Sequence, residues 1–157
     1  MKQKPLFTVD GETLTTTLLP PVRFVVEGFI PQGLHLLAGA SKIGKSWLAL
    51  WLCLQVAKGE KVWDFPSRRG DVLYLCLEDN YSRIQSRLLD IADTAPGNLH
   101  FATASEKLRC GLEQQIQQFL AGHPHTVLVV IDTLQRVRGA GGDTNAYAND
   151  YRDLEAL

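Results

Sequence analysis

The sequence predicts an α/β protein with a mostly parallel sheet flanked by helices. Three observations carry this. Short apolar runs alternate with amphipathic stretches along the chain. The runs are apolar throughout, as strands covered on both faces must be. The stretch GASKIGKS, residues 39–46, lies where one such run meets one such helix, and that junction is what a glycine-rich phosphate loop requires.

The elements follow in order. Residues 1–32 read as an irregular lead-in, because Pro20, Pro21 and Pro31 oppose helix there. Residues 33–157 then form the core. Residues 34–38 (LHLLA) read as a buried strand. From Gly44 to Lys58 the apolar positions 47, 48, 50, 51, 54 and 57 make a broad helical face, and Gly59 is a natural stop. Pro66, Arg68, Arg69 and Gly70 mark a loop, which Trp63 and Phe65 are expected to pack onto the core. Residues 71–77 (DVLYLCL) are a second buried strand. Asp79 or Asn80 caps the next helix, whose inner face is Ile84, Leu88 and Ile91. Residues 99–104 read as a weaker strand, and Leu112, Ile116, Phe119 and Leu120 as a further amphipathic helix. Residues 126–131 (TVLVVI) are the strongest strand and end at Asp132. The glycine-rich segment 139–145 and a last helix through Tyr147, Tyr151 and Leu154 follow.

Composition bounds the function. The chain has 157 residues, 45% of them apolar and 21% charged, enough for one domain with a hydrophobic core and unlike a disordered chain. Its formal charge of −1 supplies no global basic field for nucleic acid or membrane. Cys53, Cys76 and Cys110 form no CxxC pair and read as reduced, buried thiols of a cytoplasmic protein. The four histidines show no metal-ligand spacing with them. The longest apolar stretch, residues 47–57, is too short to span a bilayer, so no membrane role is expected.

The chemistry centres on the loop. Gly39 and Gly44 let consecutive N–H groups converge on phosphate, and the following helix adds its positive end. Gly39, Ala40, Ser41, Lys42, Ile43, Gly44, Lys45, Ser46 and the adjoining Trp47 form the expected nucleotide-binding stretch. Lys45 is the group to reach the β- and γ-phosphates, and the Ser46 hydroxyl is a ligand for Mg²⁺. The bland alternative is a strand–turn–helix junction that binds nothing.

Asp132 ends its strand where ligands gather in open α/β sheets, a place from which to hold Mg²⁺; the alternative is a turn cap. Glu78 ends the 71–77 strand at the same edge, so it is the expected catalytic base toward an attacking water. Arg83 and Arg87, one turn apart, form a solvated helix face, bridge to Glu78 or Asp79, or face a neighbouring subunit. Arg136 and Arg138 flank the 139–145 loop, which is a second-rank candidate for contact with single-stranded nucleic acid.

In order, the stretches VEGFIPQGLHLLAGASKIGKSWLAL, RRGDVLYLCLEDNYSRIQSRL and TVLVVIDTLQRVRG resemble the RecA-like P-loop ATPases of the plasmid and phage RepA replicative helicase group, from about Val26 to Leu157. The resemblance implies ATP or ADP with Mg²⁺, a homo-oligomeric, hexameric ring, and coupling to DNA replication, with single-stranded DNA a partner of the full-length form. It places the phosphate lysine at Lys45, the metal-side hydroxyl at Ser46, the catalytic glutamate at Glu78 and the Walker B aspartate at Asp132, and it brings Lys42 toward phosphate. Such proteins continue past Leu157 with a strand between the phosphate-loop strand and the Walker B strand. The chain is therefore expected to be the N-terminal portion of the core, with a gap in its sheet. Two functions stay open: an ATPase domain of a replication helicase, or a non-hydrolysing nucleotide-binding protein that regulates or binds others.

Overall fold

The computed structural model describes residues 6–138. A short helix α1 (Gly11–Thr16) and an antiparallel hairpin of β1 (Phe24–Val26) and β2 (Ile30–Pro31) precede the core. The lead-in is thus more ordered than its prolines suggest. Asp10 caps α1 by accepting from Thr13 N at 2.8 Å, and the helix ends before Pro20. The hairpin turns at Gly28, whose φ of +67° suits glycine.

The core alternates helix and strand: α2 (Lys45–Lys58), β3 (Asp71–Cys76), α3 (Tyr81–Ile91), β4 (Leu99–Ala102), α4 (Leu112–Gly122), β5 (Thr126–Asp132) and α5 (Leu134–Val137). The sheet is parallel, in the order β4–β3–β5. Leu73 pairs with His100 on one side and Val129 on the other, which places β3 at the centre. Successive residues of a strand face opposite ways. Val72, Tyr74 and Cys76 pack with Leu50, Cys53 and Leu54 of α2 and Ile84 of α3. Leu73 and Leu75 pack with Leu112 of α4 and Val137 of α5. Both faces of β3 are therefore covered, and its residues from Val72 to Cys76 are buried, as its unbroken apolar run requires.

Helix α2 ends as expected. Gly59 adopts φ +74° and its N–H reaches the Gln55 and Val56 carbonyls. Trp63 and Phe65 are partly exposed but join Phe29 and Trp51 in a ring cluster with centroid spacings of 5.3–5.9 Å. Cys53 and Cys76 are buried, whereas Cys110 is exposed, against the expectation of three buried thiols.

One strand expectation is overturned. Residues 34–38 form no strand, and Leu34, Leu36 and Leu37 are 53%, 63% and 55% exposed. A strand exists only through a neighbour that takes its N–H and C=O groups. Among the described residues β5 has one strand neighbour, β3, and no strand pairs with residues 34–38. β5 is accordingly half-buried along its whole length, although it is the most apolar strand of the sequence. The glycine-rich segment 139–145 and the helix expected after it lie outside the described residues.

Candidate active site

The loop is built by its own backbone. Lys42 has φ +64° and Gly44 φ +95°, so the chain turns through left-handed positions on either side of Ile43. Such a sequence directs successive N–H groups into one concavity. Among the described residues, no backbone carbonyl accepts from the amides of residues 40–46. A Cβ on Gly39 would lie 2.5 Å from Ile43 Cδ1, the tip of an exposed side chain that can swing aside. Gly44 is the N-cap of α2 and makes no side-chain cap bond, so the first-turn amides stay open to a ligand. The Lys45 ammonium spans the loop and donates to the carbonyls of Gly39 at 2.9 Å and Ala40 at 2.7 Å. It retains a third N–H.

The second half of the site comes from the strand ends. Leu77 N donates to Asp132 O at 2.7 Å, so β3 and β5 stay paired to their last residues. Glu78 and Asp132 leave the sheet at the same edge. With Ser46, Cys76, Asp79, Arg83 and Arg87 they line a cleft of about 120 Å³. That volume suits a metal ion with its waters, next to the loop rather than inside it. Ser46, Glu78 and Asp132 are thus brought together as their positions in sequence imply.

Charge in the cleft is arranged by two ion-pair groups. Asp79, with its side chain 12% exposed, takes Arg83 Nε at 3.2 Å on Oδ1 and Arg87 Nη1 on Oδ2. The helix cap is Asn80, whose Oδ1 accepts from Arg83 N at 3.0 Å. Asp79 is therefore an ion-pair centre and not the cap that its position also allowed. The Arg87 guanidinium lies 5.6 Å from the centroid of the Trp47 ring, which fastens α3 to the first turn of α2. Glu78 is paired with Arg136 of α5, Nε to Oε1 at 3.5 Å, with both side chains more than half exposed.

Sequence reasoning missed Tyr74. It is 2% exposed, and its hydroxyl donates to Asp132 Oδ2 at 2.9 Å, with Ser46 O at 3.3 Å. Burial, then the Asp132 charge, pushes the phenol's pKa far above its ordinary value. The signal available was a lone polar tip at an inward position of an apolar strand, since a buried tyrosine hydroxyl needs a partner. The Cys76 thiol, in the cleft wall, is pushed up to about 12 by burial and by the Asp132 and Asp79 charges.

A parallel sheet with a glycine-rich loop opening a helix at its carboxyl edge defines the class: a P-loop nucleoside triphosphatase fold. Within that class the chain belongs to the AAA domain family, which matches residues 3–156. This is a family of nucleotide-binding P-loop ATPases. No curated protein and no solved structure matches the chain significantly. Among the described residues, no helix is long and apolar enough to cross a membrane.

Proposed function

We propose that this chain binds ATP or ADP with Mg²⁺ and serves as the ATPase domain of a RepA-type replicative DNA helicase, working as a homo-oligomer in the cytoplasm. One observation carries the nucleotide reading: open loop amides and Lys45 stand beside a cleft that gathers Ser46, Glu78 and Asp132. The helicase assignment rests on the sequence resemblance.

The residues fit the ligand. The amides of residues 40–46 and the end of α2 suit phosphate oxygens, and Lys45 exchanges its two carbonyl contacts for them. Ser46 and Asp132 supply the hard oxygen donors that Mg²⁺ prefers. When bound, the ion neutralises charge on the phosphates. Trp47 follows the phosphate loop directly and completes the binding stretch, with Arg87 bracing its ring.

Glu78 accepts a proton from the attacking water. Its partner Arg136 is exposed, so the pair is weak and easily parted. Arg136 thereby links the base to the residues just before the glycine-rich segment 139–145, the candidate for single-stranded DNA.

Calorimetric titration with ADP and Mg²⁺ tests the reading. Micromolar or tighter binding is expected, abolished by Lys45→Ala. A folded chain that gives no heat with ADP and Mg²⁺ refutes it.

A further inference from the structure

We propose that Tyr74 is a positioning residue for the metal side of the site: its buried phenol sets the Asp132 carboxylate and holds it beside the Ser46 end of α2. This inference rests on the nucleotide reading above and adds to it a residue that neither the phosphate loop nor the strand-end carboxylates include.

The geometry follows from register. Tyr74 pairs with Val130, two residues before Asp132 on the same face of β5. A tyrosine ring is long enough to reach that diagonal neighbour. The ring is walled in by α2 and β4, with Phe101 at 6.1 Å between centroids. Its hydroxyl therefore has few places to go, and it ends on Asp132 Oδ2 at 2.9 Å. The second contact, Ser46 O at 3.3 Å, belongs to the first turn of α2. One phenol proton cannot serve both acceptors equally, and the shorter bond to the charged oxygen dominates.

Two consequences follow. Asp132 Oδ2 is occupied by the phenol, and among the described residues Oδ1 has no hydrogen-bond partner. The carboxylate is thus held in one rotation, with one oxygen left for the cleft. In addition, the phenol oxygen lies 3.3 Å from the Ser46 carbonyl, so the ring holds the Asp132 carboxylate beside the first turn of α2. Outer partners of this kind orient ligands, and their loss typically weakens metal binding by about 10–100-fold.

The test compares ADP binding by calorimetry with and without Mg²⁺ in the full chain. Tyr74→Phe removes only the hydroxyl. It is expected to reduce the gain in affinity that Mg²⁺ confers by about tenfold, while metal-free ADP affinity stays within about twofold of the parent. In an Asp132→Ala background, Tyr74→Phe is expected to cost nothing further. A Tyr74→Phe chain with an unchanged Mg²⁺ gain overturns the inference and leaves the nucleotide reading standing. Equal losses with and without Mg²⁺ also overturn it, because the phenol would then act on packing. A parent chain that binds no ADP overturns both. A second measurement needs no substitution at Tyr74. A slowly exchanging tyrosine hydroxyl proton is expected by NMR in the parent, lost in Asp132→Ala and shifted by Mg²⁺ with ADP. Its absence in the parent overturns the inference.

Discussion

Replacing Arg83 and Arg87 one at a time with methionine separates two ion pairs that share one carboxylate. Methionine keeps the aliphatic stem, so the comparison reads the charge rather than packing. Arg83 approaches Asp79 Oδ1 at 3.2 Å with its side chain 60% exposed. An ion pair so wet is worth about 0.2–1 kcal/mol, and an i,i+4 helix pair about 0.3–0.5. Arg87 is 19% exposed and bonds the other oxygen of a carboxylate that is itself 12% exposed. A hydrogen bond to a charged group in such shelter is worth about 1.5–3 kcal/mol. Its place over Trp47 adds about 0.5–1 kcal/mol. Arg87→Met should therefore cost about 2–4 kcal/mol and Arg83→Met under about 0.5 kcal/mol. For a chain of this size about 1 kcal/mol moves the melting point by roughly 2–4 °C. Thermal unfolding followed by circular dichroism should then show a drop of about 4–16 °C for Arg87→Met and under about 2 °C for Arg83→Met. In about 1 M salt the Debye length is only about 3 Å, so the small Arg83 effect should vanish and most of the Arg87 effect should remain. Equal shifts for the two arginines, or an Arg87 effect erased by salt, would refute the burial argument.

Three further outcomes are expected. Gly70→Ala should cost about 1–3 kcal/mol, because its Cβ would lie 2.5 Å from the His125 carbonyl oxygen and from Val127 Cγ1; Gly97→Ala, with nothing within 4 Å, is the control, and equal urea midpoints for the two would contradict this. A thiol reagent should label Cys110 alone in the folded chain and all three cysteines in denaturant, and mass mapping of a second labelled site without denaturant would count against the packing described. Stability should fall on the alkaline side: Cys76 has an ordinary value of 9.0 and is pushed up to about 12 in the fold, so its contribution is intact below about pH 9 and is lost as the unfolded chain ionises first, by about 1.4 kcal/mol per pH unit until the folded value is reached. Tyr74 acts in the same direction above its ordinary value of 10.0, and urea midpoints that stay level from pH 8 to 10.5 would contradict both.

Several parts of this protein could be read from the chain because they depend on neighbours in sequence. The glycine-rich loop before α2 is one, since the Lys45 ammonium closes it onto the Gly39 and Ala40 carbonyls, only six and five residues away. Helix α2 is another, bounded by Gly44 and Gly59, both in the left-handed region. The strands β3 and β5 and their end residues Glu78 and Asp132 were also legible, because an apolar run that stops at a carboxylate marks both the strand and its edge. Asp79 was ambiguous beside Asn80, and the extended backbone of Asn80 at φ −119°, ψ 163° made it the cap and left Asp79 to the arginines.

What the chain could not disclose depends on partners far away in sequence. Residues 34–38 are as apolar as a buried strand, yet strand hydrogen bonds come from a neighbouring strand, and the described residues supply none there. The half-burial of β5 has the same cause: composition reports what a strand tolerates on its faces, while burial depends on how many strands flank it. The bond from Tyr74 to Asp132 joins residues 58 apart, and the pair of Glu78 with Arg136 arises only when α5 folds back beside the end of β3. In local sequence Tyr74 is one apolar residue among several. Only the register of β3 against β5, both packed under α2, turns its hydroxyl toward Asp132 beside the first turn of α2.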